Sequence, residues 1–341
     1  MQKKRDARYD YAKLFLISCV VMGHLGNRYA DDSATVASIQ FWVYLFHMPA
    51  FIFISGLFAK RTVREKQWTK AAGYVLLYIF FKFLNYLVTG INKGFDSASI
   101  NFFRENGIPW FALAMFWWFM ITILIQKADK RVVFAGAILA AVASGYFKQI
   151  NSFLVIQRTI NFYPFFYAGY AMDLKKLGER LTKTWVRVVS VALLAVSAFI
   201  SFAYYDKIYY WRGLFRGLKA YSAIKKGMPY EWGGLWRLLA FVISFALAFA
   251  VLSVMPSIET FISRLGRQTL SVYVFHSACI ALSLKHIPGL SKWMRGGRLA
   301  VRCVILLVVI VLFTSLPIFE WPLRKLMELP EMVRKKLAKK E

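Results

Sequence analysis

Four ionisable side chains interrupt apolar runs of this chain: Lys13, His24, His47 and His276. If these runs cross a membrane, such residues are costly and usually functional. His24 follows Lys13 by eleven residues, almost three helical turns, so both lie on one stripe of a helix, about 16 Å apart. Imidazole titrates near neutral pH and is suited to proton transfer. The pattern therefore predicts His24 as a general base, against the plainer interpretation of a buried histidine that is hydrogen bonded in the core.

His47 lies in the second apolar run at a depth similar to that of His24. His24 is thirteen residues, about 20 Å, from the start of the first run, and His47 is eleven residues, about 17 Å, from the end of the second. Two antiparallel neighbouring helices would therefore bring the two imidazoles together. We expect His47 to orient an acceptor or to donate to a developing oxyanion, and we expect His276 to lie at a shallower level.

Arg61 and Arg64 form an R-x-x-R pair where the second apolar run ends. Residues three apart project together if the helix continues, and planar guanidinium groups bind phosphate oxygens through two donors. Together with Lys13, the pair predicts a site for a polyphosphate. The alternative is that these residues only anchor the helix at a cytoplasmic surface.

The composition is that of a polytopic membrane protein. Of 341 residues, 59% are hydrophobic and 18% are charged, whereas soluble domains are about half apolar and a quarter charged. The net charge of +28 comes from basic residues between apolar runs, which favours lipid headgroups over nucleic acid. We predict one all-α membrane domain over residues 1–341. Ten candidate spans cover 11–29, 36–58, 69–90, 108–126, 132–147, 159–173, 186–204, 236–254, 269–284 and 300–318. The fifth, sixth and ninth of these are short for a membrane span.

The distribution of basic residues predicts the orientation of these ten helices. With both termini in the cytoplasm, the inside segments carry 26 Lys and Arg residues and the outside segments carry 17. Residues 1–10 and 319–341 would then be basic cytoplasmic tails. The outside loop 205–237 is an exception, because it is as basic as an inside segment. Within it, the spacing over 208–226 predicts an amphipathic helix on the membrane surface, for anchoring or for holding an acceptor.

Some chemistries find no support in the sequence. There is no phosphate-binding glycine loop, no dinucleotide fingerprint, no H-E-x-x-H zinc motif and no H-x4-D at any histidine, so no metal cofactor is expected. Lys82 lies inside the third run, where a lysine can extend its ammonium to the membrane surface.

Five sequence blocks carry a resemblance that runs through most of the chain. At these blocks the sequence resembles the integral-membrane acyltransferase 3 family, and most of all its fucose 4-O-acetylase-like branch. The blocks are "DYAKLFLISCVVMGHLG" (10–26), "FHMPAFIFISGLF" (46–58), "PWFALAMF" (109–116), "YPFFYAGY" (163–170) and "LGRQTLSVYVFH" (265–276).

The resemblance implies ten membrane helices and O-acetylation of surface-glycan sugars with cytoplasmic acetyl-CoA. The family's R-x10-H motif corresponds to Lys13 and His24, and its R-x-x-R motif to Arg61 and Arg64. Lysine at position 13 keeps the charge but loses the bidentate fork, and this form is typical of the fucose 4-O-acetylase-like branch.

The sequence thus predicts a multi-pass O-acetyltransferase of the bacterial cytoplasmic membrane. It would move an acetyl group from acetyl-CoA to a hydroxyl of a surface glycan or lipid-linked sugar, with His24 as the base. Direct transfer is the simpler mechanism, because no Ser or Cys stands out beside His24 as a nucleophile. The alternative is a transporter or flippase for an anionic glycolipid, which would use the same basic and aromatic surfaces without chemistry.

Overall fold

The computed structural model describes residues 6–150, 152–224 and 229–339, and the regular elements in this part of the chain are helices. The apolar runs are bounded by the residue types that end helices, such as Asp129, whose side chain accepts from the first backbone N–H groups of its helix. The helices are α1 (Arg8–Tyr29), α2 (Ala34–Tyr44), α3 (His47–Leu57), α4 (Lys60–Arg64), α5 (Trp68–Lys93), α6 (Trp110–Leu124), α7 (Lys130–Ser144), α8 (Ile156–Ala171), α9 (Leu174–Leu181), α10 (Thr184–Ala203), α11 (Tyr205–Ile208), α12 (Arg212–Phe215), α13 (Gly233–Val254), α14 (Phe261–Leu265), α15 (Thr269–His286), α16 (Leu290–Met294), α17 (Leu299–Thr314) and α18 (Pro317–Leu337).

Each of the ten predicted apolar runs contains a helix, so the prediction of an all-α fold is confirmed for the described residues. By length and composition, four helical segments there can cross a membrane, and α17 with α18, bent by 59°, would make a fifth. The four segments are Ala34–Leu57, Trp68–Lys93, Thr184–Ala203 and Tyr230–Val254. The number of ten spans and the cytoplasmic location of both termini stay predictions.

The outer surface of the bundle is apolar where a bilayer would surround it. Helix α10 leaves Trp185 66% exposed and Phe199 67% exposed, and α17 exposes a row of apolar side chains, most of them valines. Such a surface is unfavourable in water but matches hydrocarbon, in which helices satisfy their own backbone hydrogen bonds. The exposed apolar faces therefore agree with a protein that lies in a membrane.

Helices α3 and α8 pack closely at the centre of the bundle, through glycines on both sides. A Cβ atom at Gly56 of α3 would overlap the carbonyl of Phe166, and one at Gly169 of α8 would overlap the carbonyl of Phe53. Small residues allow helix backbones in membranes to approach in this way. The contact fixes α3, which carries His47, against the rest of the bundle.

Segments that connect the helices contact other segments that the sequence predicts to lie on the same side of the membrane. Among the segments predicted to be cytoplasmic, the Arg8 guanidinium donates to the carbonyl of Gly178, and Thr69 donates to Glu331. Among the segments predicted to lie outside, the Leu154 N–H donates to the carbonyl of Phe103 at 2.7 Å. Segments assigned to the same side thus meet one another.

Two predicted helices are interrupted. The predicted span 36–58 is divided at Leu45 and Phe46, where α2 ends and α3 begins. The predicted surface helix over 208–226 is wrong as a continuous helix, because Gly217 adopts a positive φ of 60° and α12 ends before it. Residues 225–226 of that prediction lie outside the described residues.

The predicted tails are largely part of the folded bundle. Residues 6–10 belong to or precede α1, and residues 1–5 lie outside the described part. Residues 319–337 belong to α18, which packs along α5, and residues 340–341 of the predicted tail are also outside the described part. Helix α18 therefore contributes side chains to the interior, which a free tail would not do.

Candidate active site

A single cavity of about 1370 Å³ runs through the bundle between α1, α3, α6 and α15. Its two ends differ in chemistry. The basic end is lined by Arg61, Lys66, Lys70, Arg324, Arg334 and Lys335, accompanied by Glu65, Glu320, Glu328 and Glu331. The histidine end is lined by His24, His47, Asn27, Tyr44, Asn106, Arg158 and Arg216. Between the two ends the walls are mainly apolar and aromatic, and include Phe51, Tyr74, Trp110, Phe111 and Tyr273.

His24 faces the histidine end from α1 and is half-buried. Within the described residues, no protein group forms a hydrogen bond with its ring. The nearest aromatic ring is that of His276, whose centroid is 5.1 Å away at an interplanar angle of 47°. The His24 imidazole is thus available to a molecule in the cavity.

His276 is fully buried in α15 beside His24. Its Nδ1 lies 2.8 Å from the carbonyl oxygen of Val272, and because a carbonyl can only accept, Nδ1 carries the proton. Nε2 of the neutral ring is therefore an acceptor, and it is buried without a hydrogen-bond partner in the described structure. The expectation that His276 lies at a shallower level is wrong, since its ring is next to that of His24.

His47 lines the same cavity as His24, and its ring is fixed by the break between α2 and α3. Its Nδ1 is 2.6 Å from the carbonyl oxygen of Val43 and its ring stacks on Tyr44 at 5.2 Å. Pro49 has no N–H for the carbonyl of Leu45, and Ser244 donates to that carbonyl instead, at 2.6 Å. Because Nδ1 donates to a carbonyl, neutral His47 also presents Nε2 as an acceptor.

The R-x-x-R pair lies at the basic end, but its two members differ. Arg61 lines the cavity, whereas Arg64 is not among the described lining residues. Both guanidinium groups are close to Glu65, the Nε of Arg61 at 3.0 Å and a terminal nitrogen of Arg64 at 3.9 Å. The hydrogen bond from Arg61 holds the pKa of the Glu65 carboxyl below its usual value, so this carboxylate is ionised at neutral pH.

Lys13 is engaged by a buried carboxylate. Its ammonium lies 2.9 Å from Asp10, and Asp10 also faces Arg267 at 3.5 Å. Lys13 is not among the described residues that line the cavity. The structure thus brings together His24, His47 and Arg61 around one space, and places Lys13 and Arg64 outside its walls.

Sequence reasoning assigned Arg216 only to the surface helix over 208–226, and Lys82 to a position where its ammonium could reach the membrane surface. It assigned no site role to six other basic residues of the cavity wall: Lys66, Lys70, Arg158, Arg324, Arg334 and Lys335. Lys70 and Arg158 border predicted spans and were counted only as surface charge. Lys82 does not extend to the membrane surface, because its ammonium pairs with the buried Glu105 at 2.7 Å. For Lys70, Arg158 and Lys82 a signal was present, namely a basic residue beside or within an apolar run.

The sequence matches the model of a known protein family over most of its length. The family model described as "Acyltransferase domain" matches residues 6–321. The chain belongs to the acyltransferase 3 family. Assignment to the fucose 4-O-acetylase-like branch of the acyltransferase 3 family stays a prediction.

Two relatives of this acyltransferase 3 chain are rhizobial. The nodulation protein NolL of Mesorhizobium japonicum is 27% identical over 60% of this chain and 57% of its own length. NolL of Sinorhizobium fredii is 28% identical over 49% of this chain and 48% of its own length. The chain thus spans about half the length of these curated relatives. No solved structure matches it.

Proposed function

We propose that this protein is a membrane O-acetyltransferase that moves an acetyl group from acetyl-CoA to a sugar hydroxyl. The observation that supports the proposal best is the single cavity, which joins a basic end to an end lined by His24 and His47. A donor with phosphate groups and an acceptor with a hydroxyl can enter such a cavity from opposite ends. Membership of the acyltransferase 3 family supports acyl transfer as the chemistry.

The donor would bind at the basic end. Its phosphate groups would contact Arg61 and Lys70. Both line the cavity, and within the described chain the Lys70 ammonium donates only to Thr62, at 2.9 Å. The predicted contact of Lys13 requires its ammonium to exchange Asp10 for a phosphate, and that of Arg64 requires its side chain to turn toward the cavity. The pantetheine arm would then follow the apolar walls and bring the thioester to His24.

Transfer would proceed in one displacement. His24 takes the proton of the acceptor hydroxyl as the oxygen attacks the thioester carbonyl. The carbon–sulfur bond breaks, CoA leaves as a thiolate, and the proton on His24 passes to that sulfur. Neutral His47 presents an acceptor nitrogen, so orienting the incoming hydroxyl suits it better than donating to the oxyanion.

The test measures acetyl-CoA binding and turnover with the purified full-length protein in detergent micelles. We expect CoA to bind and acetyl-CoA to be hydrolysed slowly, with water in place of the acceptor. His24→Ala should abolish hydrolysis and keep CoA binding, whereas His286→Ala, outside the cavity wall, should change neither.

A transporter or flippase for an anionic glycolipid is the second candidate. A single cavity that joins the basic end to the histidine end favours transport too. The same measurements separate the two functions. Absence of CoA binding, with a folded protein, would contradict the transferase proposal and favour transport.

A further inference from the structure

The histidine end of the cavity contains positive charge that the proposed chemistry does not use. Arg158 and Arg216 both line it, and no carboxylate is found among the described residues that line this end. The carboxylates of the cavity wall are at the basic end. A buried positive charge without an ionic partner is unfavourable unless an anion compensates it.

Arg158 is a buried guanidinium whose hydrogen-bond partners are all neutral. The carboxylate that acts on its charge, Glu105, is already paired with Lys82. It is 5% exposed, and its Nη1 and Nη2 donate to the carbonyls of Gly107 and Asn106 at 3.2 Å and 3.3 Å. Its charged group lies 4.8 Å from the centre of the Trp110 ring. Its Nε is buried without a hydrogen-bond partner in the described structure. The side chain is therefore held in place with donor capacity left over.

Arg216 reaches the same end from the loop that follows α12. The loop is fixed, because Asn161 donates to the carbonyl of Gly217 at 2.9 Å and the buried Arg237 donates to the carbonyl of Leu214. Within the described residues, the Arg216 guanidinium has neither an ion pair nor a hydrogen bond. Arg212 differs: its guanidinium stacks on Tyr209 at 3.8 Å and it is not a described lining residue of the cavity.

We propose that Arg158 and Arg216 form a subsite for a phosphate group carried by the acceptor. The inference rests on the proposed function, because it names the class of acceptor. Two planar guanidinium groups suit the several oxygens of a phosphate, and the subsite lies at the end where His24 and His47 line the cavity. The acceptor is then a sugar joined to phosphate, either a soluble sugar phosphate or a sugar linked to a lipid phosphate. Anchoring the phosphate would hold a sugar hydroxyl near His24.

The experiment measures binding of four probes to the purified full-length protein. Glucose 1-phosphate and dodecyl phosphate represent the soluble and the lipid-linked source, and glucose and dodecanol are their neutral counterparts. We expect the phosphate probes to bind and the neutral ones to bind at least tenfold more weakly. Tight binding of dodecyl phosphate alone identifies a lipid-linked acceptor, and tight binding of glucose 1-phosphate alone identifies a soluble one.

The variants locate the binding. Arg216→Gln should weaken phosphate-probe binding roughly tenfold or more, and Arg158→Lys, which keeps the charge but loses the fork, should weaken it less. Arg212→Gln is the matched control, with the same charge change in the same segment, and should bind the probes normally. Arg61→Ala reports on the basic end: a loss of probe binding in this variant alone would place the phosphate there.

Three results would overturn the subsite. In the first, the native protein binds no phosphate probe. In the second, Arg216→Gln and Arg158→Lys both bind the probes as tightly as the native protein does. In the third, probe binding is lost in Arg61→Ala instead. CoA binding is measured on the same samples. If CoA does not bind but phosphate binding depends on Arg158 and Arg216, the transferase proposal fails and the anion subsite stands.

Discussion

The rings of His24 and His276 lie 5.1 Å apart, although 252 positions separate them in the chain. His24 faces the cavity, and His276 presents a buried acceptor nitrogen with no protein partner in the described structure. A group that accepts from one nitrogen of a base fixes which tautomer is present. We infer that His276 positions His24, directly or through one water, so that its other nitrogen is free to take a proton.

Replacing His276 should therefore slow turnover without weakening donor binding. We expect His276→Phe to lower kcat roughly tenfold or more, a part of the 10²–10⁴ that a general base contributes, and to leave KM for acetyl-CoA unchanged. His276→Gln, which retains an acceptor, should recover part of the rate. His286→Phe, on the same helix but exposed, is the control. Equal loss in the Phe and Gln variants would assign His276 to packing alone.

His24 and His47 should fail in different ways. His24→Ala removes the proposed base, so kcat should fall by roughly 10²–10⁴ with CoA binding retained. His47→Ala removes an acceptor that orients the hydroxyl, so KM for the sugar should rise more than kcat falls. Steady-state kinetics with both substrates varied provide the measurement. Near-normal turnover by a folded His24→Ala protein contradicts its assignment as the base.

The sequence predicted the helices well because a membrane imposes long apolar runs, and such runs are visible without tertiary information. It also predicted that His24 and His47 share a site, since depth along a helix follows from counting residues. It could not predict the ring pair of His24 and His276. That contact depends on how α1 and α15 pack, and helices far apart in sequence leave no periodic signal of their pairing.

The sequence also could not predict which basic residues face the cavity. R-x-x-R spacing correctly places both arginines on one helix, the short α4, but it does not show that, of the two, only Arg61 lines the cavity. The predicted surface helix failed at Gly217, whose positive φ turns the chain inward. Composition counts a charge, and only the packed structure shows which space it faces.

The glycine contact between α3 and α8 predicts a strong effect on stability. Gly56→Ala and Gly169→Ala should each lower the free energy of unfolding by about 1–3 kcal/mol, as overpacking of a closed interface does, and a shift of α3 should also displace His47. Gly136→Ala on α7 meets open space and should be neutral or slightly stabilising. Thermal unfolding in detergent compares the three variants. A normal melting temperature for Gly56→Ala would mean that the helices can separate without cost.

The orientation of the bundle can be tested by cysteine labelling in intact cells. Cysteines introduced at Lys336 and Lys175 should be protected from an impermeant maleimide, because both belong to segments predicted to be cytoplasmic. A cysteine at Lys148, which is exposed in a segment predicted to lie outside, should be labelled. The parent protein for this test lacks Cys19, Cys279 and Cys303. Labelling at Lys336 and protection at Lys148 would reverse the side from which the donor enters.

Substitutions at the basic end should distinguish residues that line the cavity from residues that only add positive charge nearby. Arg61→Ala and Lys70→Ala each remove one contact to a donor phosphate, worth about 1.5–3 kcal/mol, so KM for acetyl-CoA should rise roughly tenfold or more. Arg64→Ala should have a smaller effect, because Arg64 is as exposed as Arg61 but lies outside the described wall of the cavity. Lys175→Ala, a 78% exposed residue of α9, controls for the loss of one positive charge. If all four variants change KM equally, the basic end attracts the donor only through its overall charge. If Arg64→Ala exceeds Arg61→Ala, the donor binds outside the cavity described here.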